Sequence, residues 1–150
     1  MELILWRHAD SEDGIPDAQR KLSAKGLKQA ENMAAWLKAR LPKETVVLVS
    51  PAKRAKQTAR ALTAKFESRP ELGTGTAPQT LLKAAGWPHG RGAVVIVGHQ
   101  PTLGQAAALL LTGTAAEWSI KKGAVWWITH RARHGRSETI LLAVMSPELL

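Results

Sequence analysis

Cysteine is absent from this chain of 150 residues, so no disulfide can staple it and no thiolate can ligate a metal. Tyrosine is absent too and phenylalanine occurs once, which leaves six tryptophans as nearly all of the aromatic content. No apolar run approaches the ~20 residues needed to span a bilayer. The longest is Ala106 to Leu111. Internal repeats and low-complexity tracts are also missing. Met1 is followed directly by an acidic residue and an apolar strand, without the basic and hydrophobic regions of an export signal. These absences lead to the expectation of a soluble, cytoplasmic protein with no membrane partner.

What is present is ordinary for a globular chain: 45% apolar and 22% charged residues. At this length one domain, residues 1–150, is expected to bury roughly two-thirds of its unfolded surface. The formal charge of +9 raises the possibility of a nucleic-acid partner. The bases are dispersed, however. Lys21, Lys25, Lys28, Lys38, Arg40, Lys53, Lys56, Arg60 and Lys65 mostly fall on polar helix faces, and Arg131, Arg133 and Arg136 sit near a turn. A solvated basic surface that steers anionic substrates fits this spread better than a nucleic-acid groove.

Periodicity divides the chain into alternating strands and helices. Residues 2–6 read as a strand, and 10–21 as a loop. Ser23 is a suitable N-cap for a helix whose apolar face is Leu27, Ala30, Ala34, Leu37 and Leu41. Thr45 to Val49 form a continuous apolar, β-branched run, as a buried parallel strand requires. Ser50 and Pro51 then read as N-cap and first residue of a second helix, with Ala52, Ala55, Ala59 and Leu62 inward. Turn formers dominate residues 67–78, before a weak helix at 79–85. A strand at 93–97 and a helix at 102–111 follow. Residues 123–129 and 138–144 read as a hairpin around the polar stretch RARHGRS. The expected fold is a three-layer α/β/α sandwich, mainly parallel with an antiparallel C-terminal strand.

Three of those strands end in chemistry. LILWRH delivers Arg7 and His8, AVVIVGH delivers His99, and VVLVSP leads into a helix carrying Arg54. If the strands are parallel in one sheet, these four side chains meet at the edge where open α/β sheets bind ligands. Two imidazoles among guanidiniums suit a phosphoryl group.

The same residues resemble the histidine phosphatase superfamily, also called the phosphoglycerate mutase-like or RHG superfamily. Arg7-His8-Ala9 matches its nucleophile motif, Ser50-Pro51-x-x-Arg54-Ala55-x-x-Thr58-Ala59 its second arginine, and Gly98-His99 its second histidine. Leu22-Ser23-x-x-Gly26-x-x-Gln29-Ala30 is a fourth match. The small size, the step Arg20-x-Leu22-Ser23 and the tail Met145-Ser146-Pro147 are most similar to its SixA phosphohistidine phosphatase branch. The resemblance implies a hydrolase in which His8 is the nucleophile, Arg7 and Arg54 grip the phosphoryl oxygens, and His99 contacts the phosphoryl group. Arg20 is a fifth candidate, for substrate binding. Amide groups at the start of the helix after Pro101 are candidate reinforcement of the anion site.

Larger family members carry a carboxylate that protonates the leaving oxygen. Here Gln100-Pro101 follows His99, and the short segment 67–92 holds only Glu67 and Glu71. Asp10 is the remaining candidate for that role, with a loop-capping role as its rival. A site without a strong general acid fits P–N substrates better than alkyl phosphates, because a phosphohistidine ring can already be protonated at neutral pH. The expected partner is therefore a phosphohistidine-carrying protein domain or an anionic phosphorylated small molecule. A phosphomonoesterase for metabolites and a noncatalytic basic phosphoprotein-binding module are the alternatives. Adjacent arginines would repel a divalent cation from His8, His99 and Asp10, so no metal and no cofactor is expected. Trp126-Trp127 should face opposite sides of a strand, either covered by helices or with one ring at the surface.

Overall fold

Three continuous apolar runs form the centre of one sheet. The computed structural model describes residues 1–150, in which β1 (Glu2–Arg7) is followed by α1 (Ala24–Lys38), β2 (Val46–Val49) and α2 (Lys53–Leu62). After these come β3 (Glu67–Ser68), α3 (Pro78–Ala85), β4 (Ala93–Gly98), α4 (Thr102–Thr112), β5 (Val125–Arg133) and β6 (Arg136–Met145). The six strands are ordered β3-β2-β4-β1-β5-β6. The first four are parallel, and β5 and β6 add by antiparallel pairing. No helix is long and apolar enough to cross a membrane.

The pleat of β1 explains the layers. Leu3 and Leu5 face one side, packing with Leu81 and Leu82 of α3 and with Leu103, Ala106 and Ala107 of α4. Ile4 and Trp6 face the other, against Met33, Ala34 and Leu37 of α1 and Ala55 and Ala59 of α2. All six residues of β4 are buried, as a central parallel strand requires. The alanines of α2 and α4 let those helices approach closely. Leu27, expected on the inner face of α1, is instead 46% exposed, and Gly26 takes the inward place.

Of the adjacent tryptophans, Trp127 is buried and Trp126 is half-buried. Trp127 meets Trp36 of α1 edge-on, with ring centroids 6.2 Å apart, and its indole N–H donates to Glu2 Oε1 at 3.0 Å. Trp126 packs beside Trp118 on the opposite side, at 5.8 Å. The hairpin is longer than its sequence pattern suggested. The stretch read as a polar turn continues the two strands, because Arg131 donates to Glu138 across the ladder at 2.7 Å, leaving His134-Gly135 as the turn, with φ of 51° and 74°.

Topology then places a crevice. β1 and β4 are neighbours, yet β1 leads to α1 on one face and β4 to α4 on the other. Ligands of open α/β sheets bind at such a switch point, beyond the carboxyl ends of the strands. Those ends are Arg7-His8 and Gly98-His99.

Candidate active site

The three strand ends lie side by side, because the ladder continues one residue past each strand. The His8 amide donates to Gly98 O and the Ser50 amide to Val97 O, at 3.1 and 3.0 Å. His8, Ser50 and His99 therefore occupy one row, 7%, 0% and 4% exposed. The two imidazole centroids are 5.2 Å apart.

The orientation of His8 follows from its partners. Nδ1 lies 2.8 Å from Ala9 O, an oxygen that can only accept, so Nδ1 carries the proton. Nε2 is left with its lone pair, and Arg54 Nε donates to it at 3.3 Å. Burial is the main reason the His8 pKa is pushed down to about 3; the Ala9 carbonyl opposes this, and His99, Arg54 and Arg7 add repulsion. His99 is lowered to about 4, again chiefly by burial, then by Arg54, with Asp17 opposing and Arg7 adding slightly. Both rings are neutral at pH 7. Such a tautomer is a ready nucleophile at Nε2.

That neutrality makes stability depend on pH. The unfolded histidines take up protons near 6.5 and the folded ones do not, so their contribution is complete above pH 6.5 and is lost as pH falls towards 4. The loss is about 2–3 kcal/mol for each histidine between pH 7 and 4.5. Urea unfolding at both pH values should show it. A His8→Gln/His99→Gln variant should lose correspondingly less, and an equal loss in the two proteins would contradict the buried neutral pair.

Several matched residues act by holding the backbone behind His8. The Ala9 amide donates to Thr58 Oγ1, the Asp10 amide to Gln29 Oε1 and the Ser23 amide to Asp10 O. A Cβ on Gly26 would run into the Asp10 carbonyl, so only glycine lets α1 approach this turn. The spacing Ser23-x-x-Gly26-x-x-Gln29 is thereby a clamp on the strand end.

Arg54, 4% exposed, has its head on the loop between β1 and α1. Its two terminal nitrogens donate to Asp17 O at 2.9 Å and to Asp17 Oδ2 at 3.1 Å. Arg7 donates to Ile120 O at 2.8 Å, while its buried Nε has no hydrogen-bond partner. Burial lowers the Arg7 pKa from its ordinary value. Beside Arg7 opens a cavity of about 470 Å³ lined by Lys25, Lys121 and Lys122, with Gln29, Asp10 and Glu148.

The other sequence candidates lie elsewhere. The Asp10 carboxylate bonds neither histidine: Ser23 Oγ donates to one carboxylate oxygen at 2.7 Å and Lys122 to the other at 3.0 Å. Those bonds hold its pKa below the usual range, which opposes a proton-donating role. Arg20 is brought to Asp17, Glu12 O and Ser11 Oγ and makes no hydrogen bond to His8. Glu67 and Glu71 are held by Arg69. Of the amides after Pro101, Leu103 N donates to His99 O and Gly104 N to Gln100 Oε1, which commits those two within the fold. Ser50 does not cap α2, whose N-cap is Ala52. Its hydroxyl sits 2.7 Å from His99 Nε2, because the residue still belongs to the sheet ladder. Ser50 and Asp17 were missed as members of this constellation.

Known proteins share this arrangement of strands and helices. The profile of the histidine phosphatase superfamily (branch 1) matches residues 3–75. An uncharacterized protein of Mycobacterium tuberculosis is 35% identical over 108 residues, covering 69% of this chain and 68% of the relative. A SixA protein of Nakamurella multipartitia superposes with a TM-score of 0.82 at 26% identity, over 97% of this chain and 95% of that one. The protein histidine phosphatase SixA in complex with tungstate superposes with a TM-score of 0.79 at 26% identity, over 99% of both chains. The fold and the family match define a phosphatase, a hydrolase with a catalytic histidine. The chain belongs to the histidine phosphatase superfamily, in its SixA-like branch.

Proposed function

We propose that the chain, acting as one domain over residues 1–150, removes the phosphoryl group from protein-borne phosphohistidine through a covalent phosphohistidine on His8. The observation that carries this reading is the fixed His8 tautomer, with its Nε2 lone pair facing Arg54 and no proton-donating carboxylate aimed at the site. The substrate ring, protonated on its distal nitrogen, leaves as neutral imidazole when the P–N electron pair returns to it. His8 Nε2 forms the new P–N bond while Nδ1–H stays on the Ala9 carbonyl. Substrate and intermediate are thus the same chemical species, and the first step is close to balanced in energy. Water then attacks phosphorus, the electron pair returns to Nε2, and both water protons remain on the released phosphate.

Arg7 and Arg54 neutralise the phosphoryl oxygens through both steps, and the unpartnered Arg7 Nε supplies a donor already desolvated for that purpose. His99, kept neutral beside Ser50, contributes a further hydrogen-bonding group across from His8. The guanidiniums already supply cationic charge, and we infer a metal-independent reaction. The tungstate bound by the SixA neighbour supports an oxyanion site in this fold. The basic cavity beside Arg7 would receive acidic side chains flanking the target histidine on a carrier domain.

Rates on a phosphohistidine protein, p-nitrophenyl phosphate, phosphoserine and a sugar phosphate, with and without chelator, test the proposal. Phosphohistidine and the aryl ester should be hydrolysed at least ~100-fold faster than the alkyl esters, since only alkoxide leaving groups need a proton. Chelation should leave all rates unchanged. A sugar phosphate turned over as fast as phosphohistidine would establish a metabolite phosphatase instead, and activity restored only by a divalent ion would defeat the metal-free mechanism.

A further inference from the structure

We infer that Asp17 is a specificity-determining residue whose carboxylate receives the distal N–H of the leaving imidazole, so that the site selects cationic P–N leaving groups. This rests on the phosphohistidine reading above. Asp17 lies on a short 3-10 turn, Asp17–Gln19, that brings its carboxylate to the outer side of Arg54, whose Nε touches the nucleophilic nitrogen of His8. Its charge is felt inside the site, where it opposes the lowering of the His99 pKa.

The carboxylate is fixed but not saturated. Arg20 donates to Oδ1 at 3.2 Å and Arg54 to Oδ2 at 3.1 Å, one bond on each oxygen. An ionised carboxylate has about four lone-pair sites, so each oxygen can accept again. Its side chain is 59% exposed, which leaves that capacity open to an incoming donor. Hydrogen bonds from Arg20, first, and from Arg54 hold the Asp17 pKa below its ordinary value, so it is an acceptor at neutral pH and not a proton donor. Arg20, bonded also to Glu12 O and Ser11 Oγ, is then a positioning residue for this carboxylate.

Two substrate classes meet this anion differently. A phosphohistidine ring carries positive charge on its distal N–H before the P–N bond breaks, and Asp17 stabilises that protonated form. The ring departs as neutral imidazole, keeping its proton, with the bonding pair on the nitrogen released from phosphorus. A phosphate ester develops negative charge on its leaving oxygen, which the same carboxylate repels.

Steady-state kcat/KM for phosphoimidazole, p-nitrophenyl phosphate and phosphoserine, in wild type and Asp17→Asn, separates the possibilities. The asparagine can still accept from Arg54, and the Asp17 main-chain carbonyl is unaltered, so vanadate inhibition should stay within about threefold. The ratio of kcat/KM for phosphoimidazole to that for the aryl ester should fall roughly 10- to 100-fold. Equal losses on both substrates would reduce Asp17 to a support for Arg54 and overturn the inference. So would a selective loss on phosphoserine, which would make it a proton donor. Wild type that prefers the aryl ester over every P–N substrate would sink the phosphohistidine reading itself, independently of the variant.

Discussion

Replacing His8 by alanine should lower kcat by at least ~10⁴-fold, because the variant lacks the only neutral imidazole nitrogen whose lone pair faces Arg54. The fold should survive. β1 is held by backbone ladders to β4 and β5, and His8 lies at the strand's end, outside the apolar clusters formed by Leu3, Leu5, Ile4 and Trp6. Circular dichroism and urea unfolding at pH 7 should therefore resemble wild type, the buried titratable ring being a burden on stability at low pH. Brief incubation of wild type with substrate, quenched in alkali, should trap an acid-labile phosphate that peptide mapping places on His8. Label on His99, or an active alanine variant, would exchange or remove the nucleophile.

The strands were legible because central parallel strands bury both faces, and Leu3–Trp6, Val46–Val49 and Ala93–Val97 announce that by unbroken apolar character. β3 gave no such sign. It is two exposed residues, Glu67 and Ser68, paired only through backbone at the sheet edge. The hairpin tip was hidden for a related reason: its outer residues are polar on both faces, and only the cross-strand pair of Arg131 and Glu138 reveals that they continue the ladder. Leu27 shows the limit of periodicity, since a close approach by the Asp10 backbone, possible only at Gly26, turned the helix face away from it.

The convergence of Arg7, His8, Arg54 and His99 could be read because each sits at a strand end or in the helix that follows one, and topology alone brings such positions together. Ser50 occupies the same kind of position, but a serine before proline also fits a helix cap, and nothing in the spacing distinguishes the two. Asp17 and Arg20 lie in a loop without periodicity. The fold of that loop depends on long-range bonds to Arg54 and on the isolated bridge between Ser11 and Leu22, neither of which a local pattern encodes. Asp10 was open between acid and cap. Its two bonds, from Ser23 and Lys122, show it tying the strand end to α1 and to the segment before β5.

Arg54→Ala should cost roughly 10²–10³-fold in kcat/KM, equivalent to about 3–4 kcal/mol of transition-state stabilisation. The argument is electrostatic. Arg54 is 4% exposed, so its charge acts with little screening by water, and its planar donors reach both the His8 nitrogen and the Asp17 carboxylate. A phosphoryl group entering there exchanges its hydration shell for that fork. Removing the fork leaves the anion with Arg7 alone, and it also frees the Asp17 carboxylate, whose negative charge then repels the substrate instead of offsetting a cation. The same deletion removes a repulsion that helps to depress both histidines, so their pKa values should rise and the acid limb of kcat/KM should move to higher pH. Arg54→Lys restores charge without the bidentate geometry, and should recover only part of the loss. Vanadate inhibition should weaken in parallel with kcat/KM across the three proteins. Inhibition that stays within a few-fold of wild type in Arg54→Ala would mean that the oxyanion is gripped elsewhere, with Arg7 and the lysines of the neighbouring cavity the next groups to test.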